Sequence, residues 1–177
     1  MEKTKDYQEK SEYLREAIRL VELRLEQQQK SSDENQRKAA LLITFCVAVI
    51  GYLYAEQPDE SGVYLPLALW WTVKVILAVI LGAAVFYGLQ VVDIKKWGVS
   101  GADPAYVDSR FGWDFNQMAE ELLDGYKECF DINKGNLEKK VKKLKIARNL
   151  GILGITLSLL WIVMERISYI VCFWADK

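Results

Sequence analysis

Apolar residues are concentrated in three long segments of the chain, and charged residues fill the stretches around them. The segments cover residues 39–55, about 65–92 and about 149–174. The first segment has seventeen residues and would extend about 25 Å as a helix, which suffices for a thin bilayer. The pattern predicts an all-α integral membrane protein with two to three transmembrane helices.

An amphipathic helix is predicted over residues 4–29, before the first apolar segment. Its apolar positions are spaced four, three and four residues apart, which places them on one helix face. They are Leu14, Ile18, Val21 and Leu25. This stripe either packs on another part of the same chain or pairs with copies of the chain, as short heptads do. Ser31, followed by Glu34, fits a capping box and predicts that a new helix starts there.

A cytoplasmic helical insert is predicted between the second and third apolar segments. Glycine and proline residues mark 98–113 as a loop. Asp114 is then expected to cap a helix over 115–130, whose apolar positions suit an amphipathic soluble helix. Gly135 predicts a break, after which another helix continues into the third apolar segment.

These predicted elements divide the chain into four parts. Residues 1–38 are predicted to form a cytoplasmic amphipathic or coiled-coil-like helix, and residues 39–92 a transmembrane hairpin. Residues 93–148 form the cytoplasmic helical region, and residues 149–177 the third membrane helix and tail. This division assigns the charged stretches to water and the apolar stretches to lipid.

The distribution of basic residues around the apolar segments predicts the orientation. The connection 56–64 has no lysine or arginine, whereas residues 134–148 contain seven against one acid, Glu138. Because basic loops stay in the cytoplasm, the N-terminus and the helical insert are expected on the cytoplasmic side of the membrane. The C-terminus then lies outside if the third segment crosses fully, and stays embedded if residues 167–174 lie along the interface.

Three charged residues fall within apolar segments: Lys74, Glu165 and Arg166. A charge within a transmembrane helix costs about 2.5–3.5 kcal/mol on insertion scales. In one interpretation the two cations snorkel to the outer headgroups and Glu165 neutralises one of them. In the other, the three side chains pair between helices or line a wet pore formed by several copies.

A basic run precedes the third apolar segment. It comprises Lys139, Lys140, Lys142, Lys143 and Lys145. The commonest role of such a run is to fix topology and to attract anionic lipid, by about 1 kcal/mol per residue. RNA contact is the alternative, because the same charges would neutralise phosphates.

Catalytic and metal-binding chemistry have little support in the composition. The chain has no histidine, which removes the commonest general base and nitrogen ligand. Its three cysteines are isolated from one another and are interpreted as buried small hydrophobes. We therefore predict that the chain is not an enzyme and uses no cofactor or metal.

The string that begins with Arg148 and Asn149 resembles a degenerate HEPN nuclease motif, in which a histidine stands five positions after the arginine. That position is Leu153 here, so the resemblance implies a relic without RNase chemistry. With its small size, helices and membrane segments, the chain is similar to the small HEPN-like accessory membrane protein of type VI-B CRISPR systems. This resemblance implies a homo-oligomeric membrane pore that enhances an RNA-guided RNase in bacterial antiphage defence.

The chain also resembles SLATT-type membrane effectors, which have an N-terminal helix, a two-helix membrane hairpin and cytoplasmic helices after it. That resemblance likewise implies pore formation. The alternative function is a non-conducting membrane anchor or scaffold that recruits a soluble defence partner. The expected partners are further copies of the chain, the lipid bilayer, and an RNA-guided RNase or its RNA products, but no DNA.

Overall fold

The computed structural model describes residues 2–55, 67–93 and 114–175, which form three α-helices. They are α1 (Glu2–Ala55), α2 (Leu67–Val92) and α3 (Phe115–Ala175). The predicted all-α class is confirmed, and all three helices are long and apolar enough to cross a membrane. The connection 56–64 and the loop predicted at 98–113 lie outside the described residues.

Two predicted helix breaks are wrong. Ser31 does not cap a new helix, because α1 continues through it from Glu2 to Ala55. Gly135 does not interrupt α3, which is continuous over 61 residues. A serine or glycine inside a helix costs about 1 kcal/mol or less relative to alanine, so packing against neighbouring helices can outweigh both signals.

The predicted start of α3 is confirmed. The backbone amide of Met118 donates to the carbonyl oxygen of Asp114 at 3.1 Å, and helical residues follow from Phe115. Asp114 therefore occupies the N-cap position, where its carbonyl accepts the first hydrogen bond within the helix.

Buried side chains recur with heptad spacing along all three helices. Along α1 they include Leu25, Ser32, Ala39, Cys46 and Leu53. Along α3 they include Ala119, Tyr126, Asn133, Lys140 and Ala147. Along α2, with alternating spacings of four and three, they include Trp70, Lys74, Leu77, Leu81 and Ala84. An average period of 3.5 residues is typical of helices that pack as in coiled coils.

The chain divides into two compact units. The charged unit contains Met1–Glu34 and Ile94–Lys139, and the apolar unit contains Asn35–Asp93 and Lys140–Lys177. The predicted four-part division also depends on which segments face water or lipid, and it stays a prediction.

In the charged unit, α1 and α3 run in the same direction. Successive contacts join Lys10 to Glu120, at 2.8 Å, and Glu22 to Tyr126, at 2.9 Å. The amide nitrogen of Gln28 donates to the backbone carbonyl of Phe130. These contacts advance along both helices together, as a parallel pair requires.

The apolar stripe of the predicted N-terminal helix packs within a single chain. Leu14 and Leu25 are almost fully buried, and Ile18 and Val21 are half-buried. Leu14 and Leu25 therefore pack on their own chain. The alternative, in which the stripe also pairs with copies of the chain, stays a prediction, because Ile18 and Val21 are only half-buried within one chain.

In the apolar unit, α1, α2 and α3 surround a core of Cys46, Leu53, Leu77, Leu81 and Ala84. α2 runs antiparallel to α3, because Leu81 lies against Gly154, whereas Trp70, earlier in α2, bonds to Glu165, later in α3. The absence of a side chain at Gly154 lets the two helices approach closely.

Candidate functional site

A cluster of polar side chains lies inside the apolar unit, formed by Trp70 and Lys74 of α2 and Glu165 of α3. The Lys74 ammonium nitrogen lies 3.5 Å from the centroid of the Trp70 ring. The indole Nε1 of Trp70 donates a hydrogen bond of 2.9 Å to Oε1 of Glu165. Trp70 and Lys74 are each only 1% exposed.

The helical spacing of Trp70 and Lys74 explains the contact between these two side chains. Residues four apart lie one above the other on a helix face, so the lysine side chain can fold over the indole. The negative face of an aromatic ring attracts a cation by about 2 kcal/mol or more when the pair is removed from water. Because the ring lies beside the ammonium group, part of the cost of burying that charge is offset.

The indole also connects the two charged groups. Its face contacts the Lys74 cation, and its N–H edge bonds to the Glu165 carboxylate. The cluster therefore fixes α2 against α3 at this level through a directional contact, which apolar packing alone does not supply.

The predicted intramembrane charges differ in their surroundings. Lys74 does not extend to the surface of its chain, contrary to the snorkelling interpretation, because its side chain is buried among the helices. Glu165 is half-buried and pairs between helices through Trp70, whereas Arg166 is exposed. A role of these residues in a pore formed by several copies stays a prediction.

Sequence reasoning missed the part played by Trp70. Tryptophan near the end of an apolar segment is usually assigned to the membrane interface, and the neighbouring Trp71 is indeed 41% exposed. The four-residue spacing between Trp70 and Lys74 is the signal that could have identified the pair.

The HEPN-like string lies on the outer side of α3. Arg148 and Asn149 are both exposed, whereas Ala147 before them is fully buried and Leu150 after them is half-buried. Their proposed descent from a nuclease motif stays a prediction.

The basic run does not present all of its lysines outward. Lys140 is only 7% exposed, because it occupies a position of the buried heptad of α3 seven residues after Asn133. Lys139, Lys142 and Lys145 are exposed, and Lys143 is half-buried. The predicted patch therefore loses Lys140 from its outer surface.

Hydrogen bonds shift several pKa values in the charged unit. The Tyr7 hydroxyl donates to the Asp114 carboxylate, and this bond raises the tyrosine pKa above its usual value of 10.0. Lys30 bonds to Glu26 and lowers the pKa of that carboxyl group. These bonds hold exposed side chains in place along α1 and between α1 and α3.

A half-open cavity of about 260 Å³ lies between α1 and α3 of the charged unit. It is lined by Val21, Arg24, Lys127, Phe130 and Asp131. Asp124 bonds to Lys127 at 2.8 Å and raises the pKa of that lysine. The cavity thus combines two apolar side chains with charges of both signs, a mixture that favours no single class of ligand.

Within residues 2–55, 67–93 and 114–175, no group of three or more cysteine, aspartate or glutamate side chains could hold a metal ion. No protein-family model, curated protein or solved structure matches the chain. The two resemblances described above therefore depend on the quoted residues and on the arrangement of segments.

Proposed function

We propose that α1, α2 and α3 cross a bacterial inner membrane through the apolar unit, with the N-terminus and the charged unit in the cytoplasm. The observation that supports this most is the distribution of side chains in the apolar unit. Large apolar residues face outward, and Leu41, Phe45 and Val79 are each more than 60% exposed. Lys74 and Ser158 are buried inside. An apolar outer surface around buried polar groups suits lipid and would be unfavourable in water.

Alkaline extraction of membranes tests this location. Carbonate at pH about 11 strips peripheral proteins but leaves proteins with transmembrane helices in the pellet. The chain is expected in the pellet and should be released only by detergent. Recovery of folded chain in the carbonate supernatant would overturn the proposal.

We infer that the chain is a non-conducting anchor in bacterial antiphage defence, and the filled interior of the apolar unit supports the non-conducting part of this proposal. The inward positions of the apolar unit are filled by packed side chains, including Leu53, Leu77 and Leu81. The buried Lys74 faces its own bundle, where it contacts Trp70. We infer that a single copy conducts no ions and that its charged unit holds a soluble defence partner, such as an RNA-guided RNase, at the membrane.

Co-expression with such a nuclease tests the anchor. The nuclease is expected to move from the soluble to the membrane fraction only when the chain is present. A variant with Leu14→Asp and Leu25→Asp, which places charges in the core of the charged unit, should release it, whereas the exposed substitution Leu20→Asp should not. A nuclease that stays soluble in every case would contradict an anchor for this partner.

A second candidate is a homo-oligomeric pore, which would need a surface where copies meet. Small residues face outward along α1 at Thr44, Ala48, Gly51 and Ala55. Apart from its chain neighbours and the adjacent backbone of α1, a Cβ atom at Gly51 would find no atom of the described residues within 4 Å. In lipid, such faces let helices approach each other closely.

Ion flux through vesicles separates the two candidates. For the anchor, vesicles that contain the purified chain should hold a potassium gradient as well as empty vesicles do. For the pore, the gradient should collapse, and Gly51→Leu should restore it while Gly82→Leu, on α2, should not.

A further inference from the structure

Exposed basic side chains form a band around one end of the apolar unit, which we call the basic collar. It comprises Arg37, Lys38, Lys142, Lys143, Lys145 and Arg148. All are exposed except Lys143, which is half-buried. The two helices that carry these residues, α1 and α3, belong to the same compact unit over this stretch.

Contacts between the helices place the basic residues of α1 and those of α3 at overlapping levels. Gly151 of α3 lies against Leu42 and Cys46 of α1, and Leu53 and Trp161, further along each helix, belong to one core cluster. α1 and α3 therefore run in the same direction here. At about 1.5 Å per residue, Arg37 lies about 7.5 Å before Leu42, level with the stretch between Lys145 and Arg148.

The charge of this band is strongly positive. α2 ends at the same level, because Gly88 lies against Ile43 and Asp93 follows about 7.5 Å further on. Asp93 is exposed and is the one acidic residue that the described part of the apolar unit places there. Six basic side chains and the Asp93 carboxylate thus lie at this end of the apolar unit, and two acidic residues, Asp33 and Glu34, precede Arg37 by one helical turn.

The collar directly adjoins the apolar outer surface. Leu41 is 63% exposed four residues after Arg37, and Ile152 is 57% exposed four residues after Arg148. In a bilayer, the layer next to the hydrocarbon contains the lipid phosphates. The collar therefore lies at the level of phosphate groups if the apolar surface is surrounded by lipid.

We propose that the basic collar binds the phosphate groups of anionic phospholipids in the cytoplasmic leaflet, in preference to zwitterionic lipids. This inference rests on the proposed membrane location. Long basic side chains can lie along apolar surface while their charged ends reach the headgroups, and arginine forms paired hydrogen bonds with phosphate. A zwitterionic headgroup offers the same phosphate but no net charge.

RNA is less well matched to this surface. Single-stranded RNA is held by aromatic side chains on which bases stack, combined with basic residues. The collar contains no aromatic residue, and the apolar surface beside it would associate with lipid rather than with a nucleic acid. RNA binding is therefore an outcome of the test and not part of the proposal.

Lipid association with the reconstituted full chain provides the test. Trace amounts of spin-labelled phosphatidylglycerol or phosphatidylcholine are added to vesicles that contain the chain, and the protein-bound fraction of each is measured by electron spin resonance. We expect a preference of about fivefold for phosphatidylglycerol in dilute salt. It should approach equality near 1 M salt, where the Debye length falls to about 3 Å.

Two matched variants assign the preference to the collar. The collar variant carries Arg37→Gln, Lys38→Gln, Lys142→Gln and Lys145→Gln. The control variant removes four exposed cations of the charged unit through Arg19→Gln, Arg24→Gln, Lys30→Gln and Lys134→Gln. We expect the preference to disappear in the first and to persist in the second.

The outcomes are distinct. A collar variant that keeps the full preference, or a wild-type chain with no preference in dilute salt, would overturn the proposal. If the proposed membrane location is itself wrong, the result is different, because the chain would then not float with vesicles of any composition. RNA binding is tested by filter binding of a single-stranded RNA to the detergent-solubilised chain. If the wild-type chain binds this RNA, the collar variant does not, and no lipid preference is found, the collar is an RNA-binding surface instead.

Discussion

Replacement of Gly154 by leucine tests the close approach of α2 and α3 on which the apolar unit depends. A Cβ atom at this position would lie 2.6 Å from Cδ2 and 2.9 Å from Cγ of Leu81. Leu81 is fully buried, so its side chain has little room to move. Overpacking of a well-filled core costs about 1–3 kcal/mol, and we expect Gly154→Leu near the upper end of this range.

Gly82→Leu is the matched control. Apart from its two chain neighbours and the adjacent backbone of α2, a Cβ atom at Gly82 would find no atom of the described residues within 4 Å. The same substitution there should change the free energy of unfolding by less than about 0.5 kcal/mol, or stabilise α2 slightly because glycine is a poor helix former. Unfolding of the full chain by sodium dodecyl sulfate in mixed micelles, followed by tryptophan fluorescence, gives the comparison.

A double substitution sharpens this prediction. Leu81→Ala alone removes core volume and should cost about 2–5 kcal/mol. Combined with Gly154→Leu, it exchanges a large and a small residue across one contact. The double variant should therefore lose about 0.5–3 kcal/mol less stability than the sum of the losses of the two single variants. Additive effects, or equal losses for Gly154→Leu and Gly82→Leu, would refute the close packing of the two helices.

Two further predictions concern the polar contacts. Trp70→Phe removes the hydrogen bond to Glu165 and should lower the free energy of unfolding by about 1.5–3 kcal/mol. The control Trp71→Phe should lower it by less than about 0.5 kcal/mol. Equal losses in the micelle assay would contradict the assigned contact. In the folded chain the pKa of Tyr7 is raised above its ordinary value of 10.0. The stability that its bond to Asp114 contributes is therefore fully present below pH 10.0 and is lost as the pH rises through the folded-state pKa. In absorbance titrations corrected with Tyr7→Phe, Asp114→Asn should lower the Tyr7 pKa, and no change would refute the bond.

The positions of the helices could largely be predicted from the sequence. A helix that ends at Ala55, a second that ends at Val92 and a third that starts after Asp114 follow from apolar runs and a capping residue. These signals are strong because apolar segments of this length have few alternatives to a helix.

The continuity of the helices could not be predicted in this way. Ser31 and Gly135 carry local signals worth about 1 kcal/mol or less. The buried heptads that pass them bring in contacts from distant parts of the chain, which local patterns do not contain. A capping box is therefore a weak guide where a helix is held along its whole length by another.

The candidate site was predicted only in part. Lys74 and Glu165 were identified because charges in apolar segments are unusual, but their connection through Trp70 depends on which face of α2 meets α3. For the same reason, Lys140 was assigned to an outer basic patch although it lies on the buried stripe. Sequence indicates which residue types need an explanation, whereas the packing of helices decides what each one contacts.

The proposed three crossings are tested most directly by the location of the two chain termini. Reporters should be fused in turn to each end of the full chain: a green fluorescent protein, which fluoresces only in the cytoplasm, and alkaline phosphatase, which is active only outside it. Three crossings with the N-terminus inside predict a fluorescent N-terminal fusion, a dark C-terminal fluorescent fusion and an active C-terminal phosphatase. A fluorescent C-terminal fusion with inactive phosphatase would contradict the crossing by α3.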